Sequence, residues 1–251
     1  MCIRDRKKHD KNKKCMFSKK MSHHCIHMLH YRLKNYRLLA MKQLNDKNVI
    51  TIGDKATASA VLFWFHGYGA NNWSFEPSMK MLNLLLDDRL FIVIPNAPER
   101  DGIRSWYPLP KIEEDKSITE DYAGLLDAHK IVDSLIERYS NDKEVIIGGF
   151  SQGAALSLSY QFEEKTRIKA CIALSGYMPN ADSYKEKTVE HAEIFIAHGT
   201  KDNVITFASY EKTIDFLQSR CSNVRKYVDE FGHTITKDVT AAMTDWISEL
   251  I

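Results

Sequence analysis

Between Ala60 and Val228 the chain repeatedly sets short, wholly apolar runs between amphipathic stretches. Ala60–Phe65, residues 90–94, residues 145–147, Ala170–Leu174 and residues 193–197, the last apolar after its opening Glu193, are all of strand length. A strand that is apolar on every residue must be covered on both faces, which is the condition of a parallel sheet. The intervals carry the other period. Tyr122, Leu125, Leu126, His129, Val132, Ile136 and Tyr139 recur at helical spacing, as do Tyr210, Ile214 and Leu217, and then Val239, Met243, Trp246, Ile247 and Leu250. Ser117 and Glu120 have the spacing of a capping box ahead of the first of these helices. A further strand is expected near residues 224–228 and a helix of small residues from about Gln152. Strands alternating with helices predict an α/β fold with a mostly parallel, twisted sheet and helices on both faces.

No apolar run approaches the roughly 20 residues that cross a bilayer, so stable membrane insertion is not expected. The net charge of +2 averages two unlike parts. Residues 1–42 hold 13 Lys/Arg against 2 Asp/Glu, leaving 22 and 31 for the rest, a net of −9. Residues 1–40 are therefore expected to be a basic, disordered tail, and residues 41–251 the folded domain. The opening residues also resemble non-native sequence upstream of a start, and Met41-Lys-Gln-Leu-Asn-Asp has the look of an ordinary start. His23, His24, Cys25, His27 and His30 match no standard zinc spacing, so no metal site is expected there. An acidic body without a recognition motif argues against nucleic-acid binding. Five cysteines with no CxxC, and no apolar leader after the basic start, point to a reducing, cytoplasmic setting.

The most specific motif is Gly149-Phe-Ser151-Gln-Gly153, between an apolar strand and a helix start. This is the strand-to-helix context of the nucleophile elbow in the α/β-hydrolase fold. A sharp turn there exposes Ser151 at a helix N-terminus, where developing negative charge is favoured. Serine needs a base to attack. In this fold the acid and then the histidine follow the nucleophile, each after a strand. Asp202 follows the run at 193–197 and His233 follows the strand near 224–228, which makes Ser151, Asp202 and His233 the candidate triad. Asp229 is the rival acid but lies on the strand itself. His66 and His198 each precede a glycine at a strand end and read as loop-shaping. His129 reads as structural. An oxyanion hole needs two backbone N–H groups. Gln152, after the nucleophile, is one candidate donor, and Tyr68 in His66-Gly-Tyr-Gly69 is the other. Trp106 and Tyr107 are candidates for lining the substrate pocket, and Trp73 is read as structural.

Together with Pro95-Asn-Ala-Pro98, Ser105-Trp-Tyr107, Leu174-Ser-Gly-Tyr177 and His198-Gly-Thr-Lys-Asp202, these motifs resemble the phospholipase/carboxylesterase family, from about Val61 to the C-terminal helix. The resemblance implies hydrolysis of small-molecule carboxylic esters or thioesters through an acyl-enzyme, without metal or cofactor. A lysophospholipase or an acyl-protein thioesterase is the alternative. A serine peptidase, or a non-catalytic binding member of the fold, ranks below both. The family's acyl-protein thioesterases carry a longer segment between the Ala-Pro motif and the Trp-aromatic pair than the one here, residues 99–105. Short to medium acyl chains are accordingly expected. Nothing in the sequence indicates an oligomeric state.

The tail's composition yields the first prediction. A chain beginning at Met41 is expected to fold and to hydrolyse esters as the full chain does. Loss of soluble, folded protein on that truncation would overturn the assignment of residues 1–40 as dispensable.

Overall fold

The computed structural model describes residues 48–114, 118–163 and 168–251. The expected tail, with its histidine cluster, and Ser117 of the expected capping box lie outside the described residues. The strands are β1 (Val49–Ile52), β2 (Ala60–Phe65), β3 (Leu90–Pro95), β4 (Glu99–Arg100), β5 (Ile103–Arg104), β6 (Lys111–Ile112), β7 (Ile118–Thr119), β8 (Glu144–Phe150), β9 (Ala170–Leu174), β10 (Val189–Gly199) and β11 (Cys221–Asp229). The helices are α1 (Glu76–Leu85), α2 (Tyr122–Tyr139), α3 (Gln152–Tyr160), α4 (Phe207–Gln218) and α5 (Lys237–Leu250).

Seven strands form one sheet in the order β1-β3-β2-β8-β9-β10-β11. Only the edge strand β1 runs antiparallel to its neighbour. The period of two along each strand divides the interior into two layers. On β2, Val61, Phe63 and Phe65 face α2, α3 and α4, whereas Ala60, Leu62 and Trp64 face α1 and α5. This doubly covered sheet is the α/β arrangement the apolar runs call for.

Two elements differ from expectation. Helix α1 has no clean stripe in the sequence, because Met81, Leu84 and Leu85 are exposed beside the buried Met79 and Leu82. Its apolar residues therefore blur the helical period. At α2 the cap is Asp121, whose carboxylate accepts the Gly124 N–H at 2.9 Å. Glu120 is not part of a capping box; its side chain is turned toward a cavity.

Within the buried layer, Asn83 on α1 is fully enclosed. Its Oδ1 accepts the N–H of Leu90, the first residue of β3, at 2.9 Å. A buried N–H without an acceptor carries its full desolvation penalty. Asn83→Ala is expected to destabilise the fold by about 1–3 kcal/mol. Urea unfolding with an unchanged slope would report it, and an unchanged midpoint would contradict it.

Candidate active site

The carboxyl ends of the parallel strands converge on one cavity of about 830 Å³. Between β8 and α3 the backbone reverses at Ser151, whose φ of +56° and ψ of −117° lie where side chains rarely go. Such a conformation costs on the order of 1–3 kcal/mol and needs surroundings that hold it. Two hydrogen bonds do so. The Ser151 N–H donates to Leu174 O on β9 at 2.9 Å, and Ser151 O accepts the Ala155 N–H at 3.0 Å. The flanking glycines permit the approach. A Cβ at Gly149 would lie 2.4 Å from Phe65 O, and one at Gly153 only 2.0 Å from it. The elbow is therefore pressed against the end of β2.

The chain leaving β2 passes directly beside the serine. A Cβ on Gly67 would sit 3.3 Å from the Ser151 Cβ. Tyr68 follows, half-exposed and lining the cavity with Ser151, Gln152 and His233. Gln152 opens α3, so its N–H has no acceptor within the helix. The two expected oxyanion donors thus belong to backbone segments on the nucleophile's flanks.

His66 fastens the first of these segments. Its Nε2 accepts the Ala97 N–H at 3.0 Å, so the proton resides on Nδ1, which donates to Gly67 O at 2.7 Å. Burial pushes its pKa down from 6.5 to about 4, which keeps this ring neutral and in one tautomer. The hairpin β4–β5 braces the same loop, because Gly69 donates to Arg104 O at 2.8 Å. The hairpin turns through Asp101 and Gly102, both with positive φ, the geometry of a tight two-residue turn.

Asp202 and His233 stand on loops after β10 and β11. A Cβ on Gly199 would be 2.0 Å from Phe231 O, so the loops run in close contact. His233 Nδ1 and Asp202 Oδ2 are 2.7 Å apart. The other carboxylate oxygen accepts N–H groups from Val204 at 2.8 Å and Ile205 at 2.9 Å. The Asp202 side chain is entirely buried, while His233 retains some exposure and packs on Phe150 with ring centres 4.7 Å apart. His198 stands behind the pair, its Nε2 2.8 Å from Ile205 O and 3.6 Å from Asp202 Oδ2. Burial lowers the pKa of His198, which favours the neutral ring that donates to Ile205. Asp229, the rival acid, accepts the N–H of Glu230 at 2.7 Å, and the carboxylate paired with His233 is that of Asp202.

Other sequence expectations separate here. Tyr107 lines the cavity, but Trp106 does not. Trp106 is fully buried, with its indole N–H donating to His66 O at 2.8 Å, so its expected place in the substrate pocket is corrected to a support behind the wall. Trp73, read as structural, is 74% exposed. The Gln152 side chain has a role beyond the motif. Its amide N–H donates to Tyr107 O at 2.7 Å, and its Oε1 accepts the Trp106 N–H at 3.1 Å. His129 is buried with Nε2 2.8 Å from Ser159 Oγ and Nδ1 3.3 Å from Glu163 Oε1. This is a second serine, histidine and carboxylate set, but none of the three lines the cavity around Ser151. Sequence reasoning missed Phe75, Phe150, Met178 and Glu120 as cavity residues, and took Tyr177 only as part of a family motif. They come from four separate segments, so no local pattern could have gathered them.

Comparison with known proteins places this geometry among relatives. The family model described as phospholipase/carboxylesterase matches residues 45–251. An acyl-protein thioesterase 1 of Cryptococcus neoformans is 28% identical over 187 residues, covering 68% of this chain and 78% of its own length. The carboxylesterase SOBER1 of Arabidopsis thaliana is 26% identical, covering 76% and 90%. The crystal structure of Zea mays acyl-protein thioesterase 2 superposes with a TM-score of 0.71 at 22% identity, over 80% of this chain and 97% of that one, a likeness of fold. The family match spans the whole sheet, the elbow and both loops that carry Asp202 and His233, and on that ground this chain belongs to the phospholipase/carboxylesterase family of α/β-hydrolases.

Proposed function

We propose that the chain hydrolyses carboxylic esters or thioesters through an acyl-enzyme on Ser151, with Asp202 and His233 completing the triad. The observation that carries this reading is the 2.7 Å contact between His233 Nδ1 and a buried Asp202 carboxylate, in the cavity that Ser151 enters from a strained turn. The acyl-protein thioesterase and carboxylesterase relatives support the same chemistry.

The steps follow from the donors and acceptors. Asp202 accepts a hydrogen bond from the His233 Nδ1–H, which keeps that proton on Nδ1 and leaves Nε2 as the basic nitrogen. That nitrogen takes the Ser151 proton as Oγ forms a bond to the acyl carbon. The carbonyl oxygen gains charge and is met by the N–H groups of Tyr68 and Gln152. His233 then hands the proton to the departing alcohol or thiol, leaving the acyl group on Ser151. Water, deprotonated by His233, repeats the addition, and the acid leaves as the Ser151 oxygen recovers its proton. Val204, Ile205 and His233 engage both oxygens of Asp202, so the carboxylate keeps its orientation toward the imidazole throughout. A cytoplasmic site of action is part of the proposal. Among the described residues no helix is long and apolar enough to cross a membrane, and Cys171 and Cys221 are unpaired.

Ser151→Ala is expected to abolish turnover and labelling by a fluorophosphonate. His233→Ala should lose nearly as much, and the double variant little more, because the two act as a unit. Asp202→Asn should fold yet lose about 10⁴-fold in kcat, since the amide favours the wrong imidazole tautomer. A folded Ser151→Ala protein with undiminished ester hydrolysis would end this reading.

The tight hairpin between Pro98 and Trp106 leaves little wall for a long channel, which supports a preference for short to medium acyl groups. Nitrophenyl butyrate is expected to show a higher kcat/KM than the palmitate. The reverse order would contradict the preference.

A further inference from the structure

The cavity around Ser151 is walled largely by apolar side chains, among them Phe75, Leu109, Phe150, Met178 and Val204. One part of the wall is different in kind. Glu120 is the only carboxylate lining the cavity among the described residues, and no described Lys or Arg lines it. Its Oε2 accepts the Asn180 N–H, and its carboxylate also meets the Tyr177 hydroxyl. The Tyr177 hydroxyl in turn faces that of Tyr107. Tyr107 is almost wholly buried, and its backbone is fixed by Gln152, the residue next to the nucleophile. Burial raises the pKa of both tyrosines, so both stay neutral hydroxyls able to donate and accept.

A carboxylate facing an apolar concavity is poorly solvated unless donors reach it. One backbone donor, the Asn180 N–H, comes from the chain itself, and with the neighbouring Tyr177 hydroxyl it orients the group without neutralising it. A ligand displacing water from this wall therefore meets a fixed acceptor. An alkyl group would strip the carboxylate of water and return nothing, an anion would be repelled, and an ammonium or hydroxyl would be rewarded.

We infer that Glu120, aimed by Tyr177, forms a specificity subsite for a hydrogen-bond-donating group, an ammonium or a hydroxyl, carried by the substrate of this hydrolase. The subsite rests on the proposed ester hydrolysis at Ser151. It adds a substrate class, namely esters or thioesters with an amino or hydroxyl group away from the scissile bond.

The test compares nitrophenyl hexanoate with its ω-amino and ω-hydroxy derivatives and with the adipate half-ester. A second arm compares hexanoate esters of an aminoalcohol and of the matching alkanol. In one arm or the other, wild type is expected to favour the donor-bearing compound by roughly tenfold in kcat/KM, the scale of a hydrogen bond to a charged group. The adipate half-ester should be the poorest substrate. In Glu120→Gln the ammonium preference should fall about tenfold while part of the hydroxyl preference survives, because glutamine still accepts a hydrogen bond. Tyr177→Phe should reduce both preferences. Hexylammonium should also inhibit wild type more strongly than hexanol, a measurement that needs no variant to fold. Equal kcat/KM across the panel in wild type, or a preference that persists in both folded variants, would overturn the subsite. Fluorophosphonate labelling of the same preparations separates the two failures. Unlabelled wild type would sink the hydrolase reading itself, whereas labelled enzyme without donor preference sinks only the subsite.

Discussion

At Gly153 the first turn of α3 approaches β2 so closely that a single methyl group would lie 2.0 Å from the Phe65 carbonyl. Much of the site follows from that approach. With the helix pressed against the sheet, the chain leaving β8 has no room for a gradual turn, and Ser151 takes a positive φ. The strained residue is then held by partners that the rest of the core already fixes, Leu174 at the end of β9 and Ala155 on α3. Strain at a functional residue persists where the surroundings over-determine it. Here they are a fully buried central sheet and the helix that covers it.

The remaining parts are set by buried polar groups that each have one way to be satisfied. His66 is neutral and can only be protonated on Nδ1, because Ala97 offers an N–H to the other nitrogen. Asp202 accepts from two backbone amides and one imidazole, which fixes the plane of the carboxylate and thereby the ring it faces. Gln152 spends its side-chain amide on the irregular segment at 105–107. Hydrogen bonds of this kind add little net stability each, but leaving any one unmade is costly. Their effect is to select one arrangement of four loops.

The sheet was legible in the sequence because its strands are buried on both faces, so runs such as Ala60–Phe65 carry no polar interruption. The elbow, Asp202 and His233 were legible for another reason: the backbone itself demands glycines and a strand end at those places. What stayed hidden depends on tertiary position. Helix α1 exposes leucines that its pattern would bury. Glu120 satisfied the local rule for a capping box, yet Asp121 caps α2 and Glu120 serves the cavity. Trp106 and Tyr107 are neighbours in sequence and chemically alike, but one turns to the core and the other to the cavity.

The clamp made by Gln152 links two properties that a protein engineer would want to vary apart. In the proposed mechanism its backbone N–H meets the oxygen on which charge develops, and its side chain holds the Tyr107 carbonyl on the cavity wall. Substitution at position 152 keeps that N–H, proline excepted, but releases Tyr107 and Trp106, so a library there would loosen the wall and the neighbour of Ser151 together. Positions 107 and 109, on the far side of the clamp, offer the separable handle. Variation there reshapes the wall while the amide beside the nucleophile keeps its place, so selectivity can drift during evolution without passing through a slow intermediate.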